Sequence, residues 1–123
     1  MPVVLIIDDD PQIRELWRDV LQEEGLRVLD APSGVDGVQV AKDHAVDLVV
    51  TDILMPDKDG IETLREIKAE QPALKVVVVS GGGVTMQPTF LNVAKKFGAD
   101  ATLQKPVDIG EFCSVVKQLL ADS

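Results

Sequence analysis

The chain has 123 residues, 46% of them hydrophobic and 27% charged, which suits one domain around one core and excludes a disordered chain. Twelve basic against 21 acidic residues give a formal net charge of −9 and a pI of about 4.4, which argues against direct nucleic-acid binding, since a phosphate backbone needs clustered Lys and Arg. The single cysteine, Cys113, rules out an internal disulfide and a multi-cysteine metal site; apolar runs as short as Val3–Ile7 are too short to span a bilayer, and with no charged leader segment the expected location is the cytoplasm.

Short apolar runs alternate with amphipathic stretches along the whole chain. Val3-Val4-Leu5-Ile6-Ile7 is rich in β-branched residues and lacks polar alternation, the pattern of a strand buried on both faces. After Asp8-Asp9-Asp10, the residues Ile13, Leu16, Trp17, Val20 and Leu21 recur at helical spacing, and Gly25 supplies a stop. Leu26–Leu29 is a second run. Ser33 then caps a weaker helix carrying Val35, Val38 and Ala41. The third run, Asp47–Thr51, leads into Asp52, and Asp59 caps a helix marked by Ile61, Leu64 and Ile67 and closed by Pro72. Lys75–Val79 is the fourth run, followed by Ser80 and Gly81-Gly82-Gly83.

Pro88 fits the first turn of a helix whose stripe is Phe90, Val93, Ala94 and Phe97, with Gly98 as its C-terminal cap. Ala101–Gln104 is the fifth run and precedes Lys105-Pro106. An Asp108–Glu111 capping box opens the last helix, whose stripe is Ile109, Phe112, Cys113, Val116, Leu119 and Leu120. Five such βα units predict an α/β fold: a doubly wound, five-stranded parallel sheet with right-handed crossovers and helices on both faces. One domain over 1–123 uses every unit.

The unusual polar residues occupy equivalent places. Asp8 and Asp9 follow the first run, Asp52 the third, Ser80 the fourth and Lys105 the fifth, each expected just past the carboxyl end of its strand, where open parallel sheets carry their ligand crevice. Three converging carboxylates raise one another's pKa unless a cation intervenes. A hard, oxygen-seeking divalent ion such as Mg²⁺ answers that need. Lys105 adds a fixed positive charge and Ser80 a hydroxyl donor, as a site for a transferring phosphoryl group requires, and a carboxylate can serve as the nucleophile.

Taken singly, each residue has an ordinary role. Asp8-Asp9-Asp10 would complement a helix N-terminus, Asp52 would end a strand, Ser80 would turn the chain, and Lys105 would face solvent. The glycine run is no P-loop, because no G-x-x-x-x-G-K-[ST] occurs. It is the joint pattern across four strand ends that points to phosphoryl chemistry. His44, the only histidine, reads as a surface residue, Trp17 and Cys113 as core, and Asp10 as at most a support to the acidic pocket.

The matching segments are Ile6-Ile7-Asp8-Asp9-Asp10, Thr51-Asp52-Ile53-Leu54-Met55-Pro56 with Asp59-Gly60, Val78-Val79-Ser80-Gly81, and Gly98-Ala99-Asp100 with Lys105-Pro106. On these the chain resembles, over nearly its whole length, the receiver domain of bacterial two-component response regulators. The resemblance implies a flavodoxin-like sheet of order 2-1-3-4-5, often with a cis peptide before Pro106. It implies Asp52 as phosphoacceptor, with Asp9 binding Mg²⁺ directly, Asp8 mainly through water, and the Leu54 carbonyl completing the protein's ligands. Ser80 matches the hydroxyl that moves toward the phosphoryl group, and Lys105 the lysine that pairs with it.

Two departures stand out. Thr102 occupies the place of the family's switch aromatic on the fifth strand, and the chain has no tyrosine; the segment from Ser80 to the fourth helix is also glycine-rich and long. Activation is therefore expected to show in the Ser80–Gly83 loop and the fourth helix, without an aromatic rotamer change.

The expected function is that of a stand-alone receiver. A histidine kinase or histidine phosphotransfer protein donates phosphate to Asp52, and the surface of the fourth helix, fifth strand and fifth helix binds an unnamed protein target, as a monomer or a phosphorylation-dependent dimer. Such a domain is a phosphoacceptor rather than an enzyme, with self-phosphorylation and self-dephosphorylation at most. A phosphorelay intermediate or phosphate sink would share its sequence features. A passive receiver-like binding module would have lost Asp8, Asp9, Asp52 or Lys105, all of which are present. An aspartate-nucleophile phosphatase is the remaining class, but its D-x-D motif calls for Thr or Val where Gln12 stands, and there is no room for a cap domain.

Overall fold

The computed structural model of the chain describes residues 1–53, 59–80 and 94–122. Strands β1 (Val3–Ile7), β2 (Arg27–Ala31), β3 (Leu48–Asp52), β4 (Lys75–Ser80) and β5 (Ala101–Gln104) form one sheet. All pairings are parallel and the order is β2-β1-β3-β4-β5. Helices α1 (Pro11–Glu23), α2 (Gly34–Asp43) and α3 (Gly60–Glu70) follow the first three strands. Residues 94–96, labelled α4, are helical, and α5 (Ile109–Ala121) ends the chain. The flavodoxin-like architecture is the one expected, and the Lys105–Pro106 peptide is cis.

Strand periodicity divides the core into two layers. Leu5, Ile7, Val49, Val76 and Val78 face Val38, Ala41, Leu64, Ile67 and Ala94. Val4, Ile6, Val50, Val77 and Val79 face Trp17, Leu21, Phe112 and Val116. Trp17 and Phe112 stack with ring centroids 4.0 Å apart, tying α1 to α5 and adding about 0.5–1.5 kcal/mol beyond their buried area.

The helix starts are capped as their sequences suggest. Ser33, Asp59 and Asp108 accept hydrogen bonds from the N–H groups of Asp36, Glu62 and Glu111. Gly25 and Gly98 take positive φ values of 82° and 103°, the left-handed stop that a side chain disfavours.

Several expectations are corrected. β3 and β4 each run one residue further, so Asp52 and Ser80 are the last residues of their strands; the ladder continues through Asp52↔Val79 and Ser80↔Gln104. β2 is shifted to Arg27–Ala31, in register with Val3–Ile7 of β1. Leu16, Val35, Phe97 and Ile109 sit on apolar stripes yet are 42%, 54%, 42% and 50% exposed. An apolar stripe is wider than the strip a flat sheet can cover, so residues at its margins or at helix ends stay outside. Phe97 lies under the Arg65 guanidinium at 4.8 Å. Cys113 is half-buried rather than core, and burial raises its thiol. His44 is exposed, as expected, and forms the C-cap of α2. Leu54, Asp57, the glycine run 81–83, Pro88, Phe90 and Val93 lie outside the described residues.

Gly60 controls how α3 meets the sheet. Its N–H donates to the Ile53 carbonyl at 2.7 Å, and a Cβ there would stand 2.2 Å from the Asp52 carbonyl oxygen and 2.7 Å from Ile53 Cα. Backbone cannot yield as a flexible side chain does. Gly60→Ala is therefore expected to cost about 1–3 kcal/mol, read as a lower urea midpoint; an unchanged midpoint would mean that α3 slides freely.

Candidate functional site

Parallel register brings distant residues together at the carboxyl edge. Ile7 pairs with Thr51, so the next residues, Asp8 and Asp52, emerge side by side. Asp52 pairs with Val79, directly before Ser80, and Ser80 pairs with Gln104, directly before Lys105. Lys105 comes from the far side of β4, and its long side chain spans that strand. Its Nζ lies 3.3 Å from both Asp8 Oδ2 and Asp52 Oδ2, while its own N–H donates to the Ser80 carbonyl at 2.9 Å.

Asp8, Asp9 and Asp52 each offer an oxygen, all within 4.8 Å of one another. Asp8 and Asp52 are 4% and 6% exposed, Ser80 is 2% exposed, and Asp9 faces solvent. The four strand ends singled out in the sequence do converge. Lys105 meets Asp8 and Asp52 directly, Asp9 joins their carboxylate cluster, and Ser80 ends the neighbouring strand β4. Leu54 lies outside the described residues.

The charges do not balance. Burial raises the Asp52 carboxyl above the ordinary aspartate value; Lys105 pulls it down, and Asp8 pushes it further up. Asp8 is likewise raised by burial, opposed by the Asp10 N–H and Lys105, and pushed up again by Asp9. Burial would lower Lys105, but Asp52 and Asp8 outweigh it and its ammonium is held above the usual lysine value. Among the described residues, one lysine faces three carboxylates. Asp52 Oδ1 is buried and has no hydrogen-bond partner among the described residues, a state that costs free energy unless something fills it. Excess negative charge, an orphaned buried oxygen and an all-oxygen donor set fit a hard divalent cation such as Mg²⁺.

Asp10 is a helix cap rather than a pocket acid. Its Oδ1 accepts from the Gln12 N–H at 2.9 Å, and its own N–H donates to Asp8 Oδ1 at 2.9 Å. Two residues at this edge escaped the sequence reading. Arg14 on α1 donates from Nη1 to the Asp8 carbonyl at 2.7 Å, and Asp30 on β2 lies 3.8 Å from Arg14 Nε. The signal for Arg14 was faint: a basic residue in the first turn of a helix, where the dipole disfavours it. Beside Lys105 opens a groove of about 380 Å³ lined by Ile13, Leu16, Trp17, Pro106 and Val107, which exposed Leu16 borders. No helix among the described residues is long and apolar enough to cross a membrane.

Comparison with known proteins points one way. The family described as the response regulator receiver domain matches residues 4–117. The chain is 37% identical to chemotaxis protein CheY of Halobacterium salinarum over 84% of this chain and 83% of that protein. It is 31% identical to sporulation initiation phosphotransferase F of Bacillus subtilis, with 95% and 92% covered. The solved structure of response regulator TrrA from Thermotoga maritima, in complex with Mg²⁺ and BeF, superposes with a TM-score of 0.86 at 29% identity, covering 97% of this chain and 99% of that one.

Proposed function

Because the chain belongs to the response regulator receiver domain family, we propose that it is a Mg²⁺-dependent phosphorylation switch whose phosphoacceptor is Asp52. The observation that carries this reading is the state of the Asp52 carboxylate. Oδ2 is held by Lys105, Oδ1 is buried with no hydrogen-bond partner among the described residues, and the carboxylate clusters with those of Asp8 and Asp9. Asp8, Asp9 and Asp52 would hold Mg²⁺, with the Leu54 carbonyl as the ligand that the family resemblance adds; bound there, the ion supplies positive charge to the phosphoryl oxygens.

The chain's own residues supply the rest. A carboxylate oxygen of Asp52 attacks phosphorus, forming an acyl phosphate as the bond to the donor's imidazole nitrogen breaks, and the donor histidine leaves neutral after taking up a proton. Lys105 sits where negative charge gathers. The Ser80 hydroxyl, at the end of the neighbouring strand, would donate to a phosphoryl oxygen once one is present. The donor is a histidine kinase or a histidine phosphotransfer protein. Adding roughly two negative charges between Lys105 and Ser80 biases the surface that a downstream protein reads. Thr102, half-buried on β5 opposite Val78, has no ring to turn inward, so the readout is assigned to Ser80 and the segment after it.

A relay intermediate that passes the group to a second histidine would use the same site. The likeness to sporulation initiation phosphotransferase F supports that second reading, and the two differ only in where the phosphate goes next. Beryllofluoride tests what they share. It is expected to shift the backbone NMR signals around Asp52 and Ser80 only when Mg²⁺ is present, and Asp52→Asn is expected to abolish the response. Shifts that ignore Mg²⁺, or none at all, would instead indicate a passive binding module.

A further inference from the structure

Arg14 sits one turn into α1, but its side chain returns to the strand end instead of extending into solvent and is 18% exposed. Its Nη1 donates to the Asp8 carbonyl at 2.7 Å. Its backbone N–H donates to the Asp10 carbonyl at 3.1 Å, and the Asp10 N–H donates to Asp8 Oδ1 at 2.9 Å. These three bonds close a ring through Asp8, Asp10 and Arg14. On the other side, the Asp8 N–H donates to the Ala31 carbonyl at 3.2 Å. The acidic turn is thus held at its main chain from α1 and from β2.

Arg14 is in turn restrained. Asp30 lies 3.8 Å from its Nε and 2.9 Å from Arg18 Nη2, and Arg18 Nη1 reaches the Val28 carbonyl at 3.5 Å. A guanidinium has a rigid planar fork that serves a carbonyl and a carboxylate at once; a lysine ammonium on a flexible stem lacks that geometry.

A guanidinium beside an acidic cluster has two opposed effects on a divalent cation. Its charge repels the ion, whereas its hydrogen bond holds the ligand-bearing turn in one conformation and spares the entropy of ordering it. We propose that Arg14 is a positioning residue of the acidic site: it fixes the Asp8–Asp10 turn so that the Asp8 and Asp9 carboxylates are preorganised for Mg²⁺, and Asp30 orients it. The inference rests on reading Asp8, Asp9 and Asp52 as a Mg²⁺ site.

The two effects differ in sign, which makes the test sharp. Mg²⁺ alone is titrated into the full chain, with the backbone amide shifts of Asp9 and Asp10 as readout, and urea midpoints are taken on the same proteins. Arg14→Ala and Arg14→Lys are both expected to weaken Mg²⁺ binding by about tenfold under conditions where each remains folded. Asp30→Asn, at a surface ion pair, is expected to weaken it by a smaller factor and keeps the test open if Arg14→Ala folds poorly. Binding by Arg14→Ala as tight as or tighter than wild type would show repulsion dominating and overturn the proposal. So would full rescue by Arg14→Lys, since charge would then suffice. A wild-type protein with no saturable Mg²⁺ response would instead refute the site reading, and this inference would fall with it.

Discussion

Asp52→Asn is expected to abolish acyl-phosphate formation from acetyl phosphate and, in Mg²⁺-free buffer at pH 7, to make the protein more stable by about 1–3 kcal/mol. The first effect follows from removing the nucleophile. The second follows from the electrostatics of the unphosphorylated site, where a buried carboxylate, with one oxygen unpartnered among the described residues, emerges beside Asp8. Function and stability therefore pull in opposite directions at this residue.

The pH dependence has a definite sign. The Asp52 and Asp8 carboxyls are raised in the folded protein, chiefly by burial. For a raised carboxyl, the penalty is absent below the unfolded aspartate value, about 3.9, and grows as pH rises through the folded value. The advantage of Asp52→Asn should accordingly shrink as pH falls toward 4, and Mg²⁺ should stabilise the wild type much more than the variant. Urea midpoints at pH 4.5 and 7, with and without Mg²⁺, measure both trends. A variant less stable than wild type in Mg²⁺-free buffer at pH 7 would mean that Lys105 already neutralises the pair.

Lys105→Met should act in the opposite sense on stability and the same sense on chemistry. Its ammonium is shared between two buried carboxylates at 3.3 Å each, and among the described residues no other cation is paired with those side chains, so its removal leaves them uncompensated. A loss of about 2–4 kcal/mol is expected without Mg²⁺, and added Mg²⁺ should restore most of it. The rate of phosphoryl uptake is expected to fall by about 10²–10³ even with saturating Mg²⁺, the scale for removing one aimed charge or donor from developing negative charge. Stability and rate are then separable: the ion substitutes for Lys105 in the first and not in the second. An uptake rate within threefold of wild type would remove Lys105 from the chemistry.

Much of this fold was legible because its signals are local. A β-branched run, an Asp or Ser three residues before a helical N–H, and a glycine after the last turn each act over a few residues. They placed β1 and β5 as found, together with the caps Ser33, Asp59 and Asp108 and the stops Gly25 and Gly98. Asp8, Asp9, Asp52, Ser80 and Lys105 could be chosen because parallel βα repetition sends every strand's carboxyl end to one edge.

What remained hidden depends on contacts between segments far apart in the chain. Where a ladder ends is set by its neighbour, which is why Asp52 and Ser80 proved to be the last residues of their strands rather than the first beyond them. Leu16, Val35, Phe97 and Ile109 carry the right hydrophobicity, but only packing decides which edge of a stripe the sheet covers. Arg14 reads as an ordinary surface arginine until α1 is laid against β1 and β2, when the Asp8 carbonyl and Asp30 come within its reach. The chain's order of residues determined which groups arrive at the carboxyl edge. Only the tertiary structure decided which of their atoms meet, because register and helix docking are long-range choices that no short window of sequence contains.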